Sequence, residues 1–145
     1  SFEELLVQEG VGQAYLERGD SAAIYYTNID TEAVGPFAGK IVVSMRPLTP
    51  ADAIKAIQLT TQYPDVHGAP IHIGHPHLIG IEDINSPVQS LSQTRVMKDE
   101  LPVFWACGVT SQLAAEQARL PLCISHASAH MLVTDLNLEQ VKKQA

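Results

Sequence analysis

Two apolar runs, at residues 40–45 and 101–106, constrain the fold of this 145-residue chain more than any other feature. Both are rich in β-branched or aromatic residues, which is the composition of buried strands. Each run is followed by a helix signal and then by a further short apolar run. This repeated strand–helix–strand order predicts an α/β fold, with mixed α+β as the alternative, in which βαβ units form a small mixed sheet with flanking helices. Shorter strands are predicted at 22–26, 69–73, 122–125 and 131–134.

The helix signals differ in strength. Thr49 as N-cap, Pro50 at the first helical position and Asp52 in capping-box spacing predict a helix directly after the first run. Thr110 is suited to cap a second helix, which reaches about residue 119. Weaker patterns predict helices at 2–9 and after Asn137, and a polar loop or flap at 82–100.

The composition argues against several functions. Nine Lys and Arg residues stand against sixteen Asp and Glu residues, a net charge of −7. The chain therefore lacks the basic surface of a nucleic-acid-binding protein or of one held on an anionic membrane. No apolar run approaches the ~20 residues of a membrane-spanning helix. Cys107 and Cys123 are too few for a disulfide framework and lie in apolar segments, which favours reduced core thiols and a cytoplasmic location. A disulfide bridge between neighbouring strands stays open as the alternative. Self-association into a homo-oligomer stays open.

The predicted sheet brings candidate site residues to one edge. In a βαβ unit the two strands are parallel, so their carboxyl ends lie at the same edge, where open α/β sheets bind ligands. By this geometry Cys107, Thr110 and His126 share a pocket, and the N–H groups at the helix start suit a carboxylate or an oxyanion. In the first unit, Arg46 ends a strand and offers a bidentate clamp for a carboxylate, with His72 near the end of the next strand.

Each of these residues also has a purely structural interpretation. Cys107 shares a strand face with Trp105, which is typical of a core thiol. Thr110 is equally well explained as a helix cap and Arg46 as one half of a surface salt bridge. His126 is equally typical of a hydrogen-bonding residue at the end of a strand. Convergence on one edge, rather than any single residue, supports a functional site.

The histidines raise the question of a metal site. Four of the six lie within 67–77, and His126 and His130 are spaced i, i+4. Strand alternation sends neighbouring side chains to opposite faces, however, and no helical His-Glu-x-x-His or paired Cys-x-x-Cys pattern is present. A metal-dependent hydrolase or lyase is therefore kept as one alternative and a non-catalytic module that binds small acids as another. No metal ligand is assigned.

Longer strings match a known family. They are Val42-Val43-Ser44-Met45-Arg46-Pro47, then His67-Gly68-Ala69-Pro70-Ile71-His72-Ile73-Gly74, then Pro102-Val103-Phe104-Trp105-Ala106-Cys107-Gly108-Val109-Thr110, and finally His126 with Met131-Leu132-Val133-Thr134-Asp135. From Phe2 to about Leu136 the chain resembles the bacterial hydro-lyase family related to D-glutamate cyclase, which removes water from D-glutamate to give 5-oxo-D-proline. The resemblance implies a two-part α/β architecture and dehydration of a small amino or carboxylic acid, with no organic cofactor.

The implied reaction suggests roles for particular residues. His126 is the acid/base candidate, Arg46 would hold the α-carboxylate, and backbone N–H groups from Gly108 to Thr110 would stabilise an oxyanion. The supporting candidates are His72 and Asp135 for orientation or assistance, His67 for substrate binding, and Cys107 as a cavity wall or a covalent nucleophile.

The chain also departs from the family pattern. The family reads His-Ala-Pro-Gly where this chain has His126-Ala127-Ser128-Ala129, and losing Pro and Gly changes the turn after the histidine. Residues 1–3 match an internal stretch of the family. We therefore expect residues 1–145 to form a single hydro-lyase-like region that lacks the family's N-terminal segment, with a subdomain at 36–80 as an open alternative.

Overall fold

The computed structural model describes residues 3–127, 130 and 133–142, and its elements within these residues are as follows. The strands are β1 (Ala23–Asp30), β2 (Lys40–Leu48), β3 (His72–Ile73), β4 (Gln89–Ser90) and β5 (Leu101–Ala106). The helices are α1 (Glu3–Gln8), α2 (Gln13–Glu17), α3 (Pro50–Thr60), α4 (Val109–Gln117) and α5 (Leu138–Val141), with a 3₁₀ helix at Pro76–Ile79. The strands form one sheet in the order β3-β5-β2-β1-β4.

The two faces of the sheet carry separate hydrophobic cores, because side chains alternate along each strand. The face that packs against α1, α2 and α3 buries Leu6, Val11, Tyr15, Leu48, Ala53, Ala56, Val103 and Trp105. The other face buries Ala23, Tyr25, Val43, Met45, Ile79, Ile81 and Phe104. Since Ser44 is the register partner of Trp105 and Arg46 that of Val103, these two polar residues lie on the face with α1 and α3.

The mixed α/β class is confirmed, but the strands are connected differently from the βαβ units that we expected. Every neighbouring pair of strands is antiparallel. β2 and β3 run in the same direction, joined through α3, yet β5 lies between them and is antiparallel to both. Six residues of β5 pair with β2 and two pair with β3, so β5 is an interior strand whose apolar run is buried.

The prediction of a second βαβ unit, with its last strand at 122–125, was wrong. Residues 122–125 form no strand, and the side chains of Leu122 and Ile124 are 76% and 88% exposed. An apolar run becomes a strand only where a neighbouring strand pairs with it, and here β5 already has β2 and β3 on its two sides. Of the strand predicted at 131–134, the first two residues lie outside the described ones, and Val133 and Thr134 are not in a strand.

Most helix signals are confirmed. The hydroxyl of Thr49 accepts a hydrogen bond from the N–H of Asp52 at 3.2 Å, and Asn137 forms a complete capping box with Gln140 at the start of α5. The prediction of Thr110 as a cap was wrong, since Gly108 occupies the N-cap of α4. Neither α2 nor the 3₁₀ helix was predicted. Among the helices in the described part of the chain, none is both long and apolar enough to cross a bilayer.

Candidate functional site

A cavity of about 720 Å³ lies on the face of the sheet that carries α1 and α3, within the size range of small-molecule sites. Strands β1, β2 and β4, the segment after α3 and the turn between β5 and α4 all contribute to its wall. The lining residues are Glu3, Ala22, Ile24, Ser44, Arg46, Pro64, Val66, His67, Gln89, Ser90, Leu91, Ala106, Cys107, Gly108, Val109 and His126. The cavity therefore collects residues from far apart in the sequence.

Arg46 is the buried cation of the cavity, with 6% of its surface exposed. Its Nε and Nη2 atoms donate to Oε2 of Glu3 at 2.8 and 2.5 Å, and Nη1 donates to the hydroxyl of Ser44 at 3.1 Å. The guanidinium carbon lies 5.5 Å from the ring centroid of Trp105, within cation–π range. The salt bridge that the sequence left open is present, but it is a cavity pair and not a surface one.

Glu3 is a cavity residue that the sequence reasoning missed. Its Oε1 accepts a hydrogen bond from the hydroxyl of the buried Tyr15, so both carboxylate oxygens are held. Burial opposes ionisation of Glu3, but the charge and hydrogen bonds of Arg46 and the hydrogen bond of Tyr15 outweigh it, and the pKa of Glu3 is lowered. The sequence contains little to mark Glu3 as a cavity residue. It lies 43 residues before Arg46, and an acidic residue in the first turn of a helix is common.

His67 lies half-buried in the cavity wall, directly after the turn that follows α3. Its Nδ1 lies 2.7 Å from the carbonyl oxygen of Ala106, at the end of β5. A carbonyl oxygen only accepts, so Nδ1 carries the proton and Nε2 is the acceptor nitrogen of the neutral ring. Burial lowers the pKa of His67, against the opposing effect of the Ala106 hydrogen bond, and the nearby Arg46 lowers it further. The geometry therefore gives a neutral imidazole of fixed tautomer, which is the form of a general base.

The turn from β5 into α4 places Gly108 and Val109, at the start of the helix, in the cavity wall. Cys107 donates its N–H to Val42, and Thr110 donates its N–H to the carbonyl of Cys107. The hydrogen bonds within the described part of the chain do not include the N–H groups of Gly108 and Val109, both of which line the cavity at the start of a nine-residue helix. Such groups suit an anion. Cys107 itself is a half-buried free thiol in the same wall.

His126 reaches the cavity from its outer rim. It is exposed, its Nδ1 donates to the carbonyl of Ala127 at 2.8 Å, and its own carbonyl accepts from the side chain of Gln112 at 3.0 Å. This places the acceptor nitrogen at Nε2, as in His67. The departure from the family pattern at Ser128 and Ala129 lies outside the described residues. Cys123, predicted as a core thiol, is exposed instead because its segment does not join the sheet.

Three predicted site residues are not brought to the cavity. The hydroxyl of Thr110 accepts from the N–H of Val42 at 2.9 Å and donates to its carbonyl at 3.2 Å, so this residue ties α4 to β2 and lines a neighbouring groove. His72 lies on the opposite face of the sheet, with its ring centroid 5.8 Å from that of Phe104. Asp135 is exposed and does not line the cavity.

The histidines of 67–77 do not converge. His67 lies in the cavity wall, whereas the rings of His75 and His77 lie 5.8 Å apart beside the 3₁₀ helix. Within residues 3–127, 130 and 133–142, no three His, Cys, Asp or Glu side chains are grouped closely enough to hold a metal ion.

Comparison with known proteins gives consistent matches. A family profile described as "D-glutamate cyclase" matches residues 1–135. Three curated relatives, each named "putative hydro-lyase", come from Bradyrhizobium diazoefficiens, Burkholderia cenocepacia and Rhizobium johnstonii and are 55%, 52% and 54% identical to this chain. The matches cover 94%, 94% and 93% of this chain but 50%, 52% and 50% of the relatives. The chain thus spans about half the length of the curated relatives that it matches.

Proposed function

This chain belongs to the D-glutamate cyclase family, as its sequence strings indicated, and we propose that its cavity is a hydro-lyase site that removes water from a small amino acid. The specific reaction proposed is the closure of D-glutamate to 5-oxoproline. One observation carries the proposal: Arg46, His67, the start of α4 and His126, which are separated by up to 80 residues, line a single cavity. They supply the cation, the base, the oxyanion donors and a second titratable group that this reaction needs.

The first step is the removal of a proton from the ammonium group, so that its nitrogen can attack the distal carboxyl carbon. We assign this step to Nε2 of His67. The lowered pKa of His67 keeps its ring neutral near pH 7, and its hydrogen bond to Ala106 fixes the tautomer. A base poised in this way contributes roughly 10²–10⁴-fold in rate. Arg46 is the group that holds the α-carboxylate.

The second step is stabilisation of the tetrahedral intermediate. Attack by nitrogen places a negative charge on a carboxyl oxygen, and the N–H groups of Gly108 and Val109 at the start of α4 would donate to it. Removing one donor of this kind costs about 10²–10³-fold in rate in other enzymes. Thr110 has no direct part in this step, since its N–H and its hydroxyl are used within the fold.

The third step is departure of the carboxyl oxygen as water. One C–N bond forms and one C–O bond breaks. The nitrogen loses two protons and the departing oxygen gains two, so no net proton is exchanged with the solvent. We assign to His126 the delivery of one of these two protons. Its Nε2 first takes that proton from water, which its exposed position at the rim allows, and then donates it to the departing oxygen. Cys107 forms part of the wall, and no covalent intermediate is needed.

The reaction is tested by incubating the chain with D-glutamate and following 5-oxoproline by mass spectrometry. His67→Asn should lower turnover about 10²-fold or more, and His126→Asn should lower it as well. His72→Asn is the matched control, because His72 lies on the other face of the sheet, and its turnover should be unchanged. Absence of 5-oxoproline with the unaltered chain, or equal losses in all three variants, would overturn the proposal.

A further inference from the structure

We propose that Glu3 and Arg46 act together as a selectivity device that admits carboxylic acids bearing an ammonium group and rejects amine-free acids. The inference deepens the proposed function and rests on it, since it concerns the same cavity. It assigns Glu3, which no sequence motif marks, as the residue that accepts a hydrogen bond from the substrate's ammonium group.

The position of the Glu3 carboxylate supports this assignment. An ionised carboxylate offers about four acceptor positions. Three donors occupy it here, namely Nε and Nη2 of Arg46 and the hydroxyl of Tyr15. Glu3 also lines the cavity and keeps 38% of its side-chain surface exposed. The carboxylate of Glu3 is therefore fixed by Arg46 and Tyr15, and it keeps one further acceptor position for a ligand in the cavity.

The charges of the lining support the same conclusion. Among the described lining residues, the permanently charged side chains are those of Glu3 and Arg46, which neutralise each other. An amine-free diacid would bring two negative charges to a guanidinium that already has a carboxylate partner. An amino diacid brings an ammonium group that pairs with Glu3 as its α-carboxylate approaches Arg46. Because the two substrate groups are attached to one carbon, two adjacent and opposite protein charges match them.

The hydrogen bond from Tyr15 favours a binding role over a purely structural ion pair. Tyr15 belongs to α2, is fully buried in the core and donates its hydroxyl to Oε1, while Arg46 donates to Oε2. Burial, followed by the charge of Glu3, raises the pKa of Tyr15, so this hydroxyl remains a donor across the physiological range. Both oxygens are thus fixed, which is the preorganisation expected of a recognition group.

The test measures binding of two matched ligands, D-glutamate and glutarate, by isothermal titration calorimetry. All proteins carry His67→Asn, which slows turnover of D-glutamate during the titration. We expect D-glutamate to bind at least about tenfold more tightly than glutarate when Glu3 is present, the effect of one charge-assisted contact. Adding Glu3→Gln should weaken D-glutamate binding and strengthen glutarate binding, because Arg46 then loses the anionic partner that competes with the ligand. Glu3→Asp, which keeps the charge, should retain the preference for the amine.

The control is Glu4→Gln, on the same helix, since Glu4 is exposed and bonds only to Gln8 among the contacts of the described chain. The Glu4→Gln variant should bind both ligands with the same affinities as the protein that keeps Glu3 and Glu4. Circular dichroism of each variant establishes that it is folded. If Glu3→Gln does not fold, the test is the ratio of the two dissociation constants, D-glutamate against glutarate, in Glu3→Asp and in the protein that keeps Glu3. The inference would be overturned if the protein with Glu3 bound D-glutamate and glutarate with equal affinity, or bound neither. It would also be overturned if Glu3→Gln weakened the binding of both ligands by the same factor.

The two proposals fail in different ways. If the unaltered chain forms 5-oxoproline but Glu3→Gln leaves the ligand preference intact, the selectivity device is wrong and the reaction stands. If no 5-oxoproline forms but the amine preference depends on Glu3, the selectivity device stands and the reaction is wrong.

Discussion

Two of the walls of the cavity are built by different means. One is the floor, formed by β2 and β5, and the other is the rim segment, residues 119–127. In the floor, Arg46 makes one hydrogen bond to Ser44 of the same strand and two to Glu3 of α1, and Val103, Phe104 and Trp105 are completely buried. Every residue of the rim segment is exposed, and His126 is held by a local hydrogen bond to Ala127 and by Gln112.

This difference separates stability from chemistry. In the proposed reaction, floor residues serve both, because the pairing that positions them is also the core of the protein. Rim residues can touch a substrate without contributing to the fold, since they bury little apolar surface. Substitutions in the floor should therefore lower the free energy of unfolding by several kcal/mol, and substitutions in the rim segment should change it little.

The largest effect is expected for Trp105→Ala. Trp105 is fully buried, donates its indole N–H to Thr60 at 3.3 Å and supports the guanidinium of Arg46. The cavity that the substitution leaves should lower the free energy of unfolding by about 3–5 kcal/mol, measured by urea denaturation. A loss below about 1 kcal/mol would show that β5 is not the core of the molecule.

Asp20→Asn extends the comparison to the wall at residues 89–91. These residues are joined to the rest of the molecule partly through the segment 92–100, which an ionic cluster anchors. The buried carboxylate of Asp20 pairs with Arg18 and Arg95, and Arg18 pairs with Glu100. Loss of hydrogen bonds to charged groups should cost about 2 kcal/mol at pH 7. Asp30→Asn, in an exposed pair with Lys40, is the control and should cost about 0.5 kcal/mol or less.

The same variant has a pH signature. Burial opposes ionisation of Asp20, but hydrogen bonds and charges from Arg95 and Arg18 lower the pKa of Asp20 below the ordinary value of 3.8. The ionised form therefore stabilises the fold above that pH, and this contribution is lost as the pH falls through the lowered pKa. The difference in stability between the unaltered protein and the Asp20→Asn variant should shrink in acid. A difference that stays constant from pH 7 to the acid limit of folding would rule out the charge as its cause.

A smaller effect is expected at Thr110→Val, where α4, the helix that precedes the rim segment, is joined to the floor. The hydroxyl of Thr110 bonds both the N–H and the carbonyl of Val42, so the valine leaves those groups without a side-chain partner. We expect a loss of about 1–2 kcal/mol by thermal denaturation. Ser111→Ala, one residue further along α4, removes only a local bond to Gly108 and should cost clearly less. Equal costs would contradict the assignment of Thr110 as the tie between α4 and β2.

The smallest effect is expected at Ile124→Ala in the rim segment. The isoleucine side chain is 88% exposed, so its truncation should change the free energy of unfolding by no more than about 0.5 kcal/mol. A loss as large as that of a core isoleucine would mean that the segment packs as the sequence suggested, as a strand.

The sequence was sufficient for features whose causes are local. The caps at Thr49 and Asn137 depend on neighbours within three residues, and the apolar runs at 40–45 and 101–106 are buried whichever strands pair with them. Arg46 was also found, because its place at the end of a buried run marks it.

The features that the sequence did not reveal depend on pairing between distant segments. Nothing local states that β5 inserts between β2 and β3, or that residues 122–125 find no partner. The contact of His67 with Ala106 crosses 39 residues and that of Glu3 with Arg46 crosses 43. These two contacts fix the tautomer of His67 and the ion pair of the cavity, and no local pattern shows either of them. For this reason the sequence reasoning assigned the acid/base role to His126 and only a binding role to His67.

The central claim is that a small amino acid binds against the floor, at the start of α4. The most direct measurement is a titration of the ¹⁵N-labelled chain with D-glutamate, followed through its backbone amide resonances. We predict that the amide resonances of Gly108 and Val109 shift progressively as D-glutamate is added, while the amide resonances of His72 and Ile73, in β3 away from the cavity, do not shift. Shifts confined to resonances of β3, or no shift of the Gly108 and Val109 resonances at saturating D-glutamate, would contradict this claim.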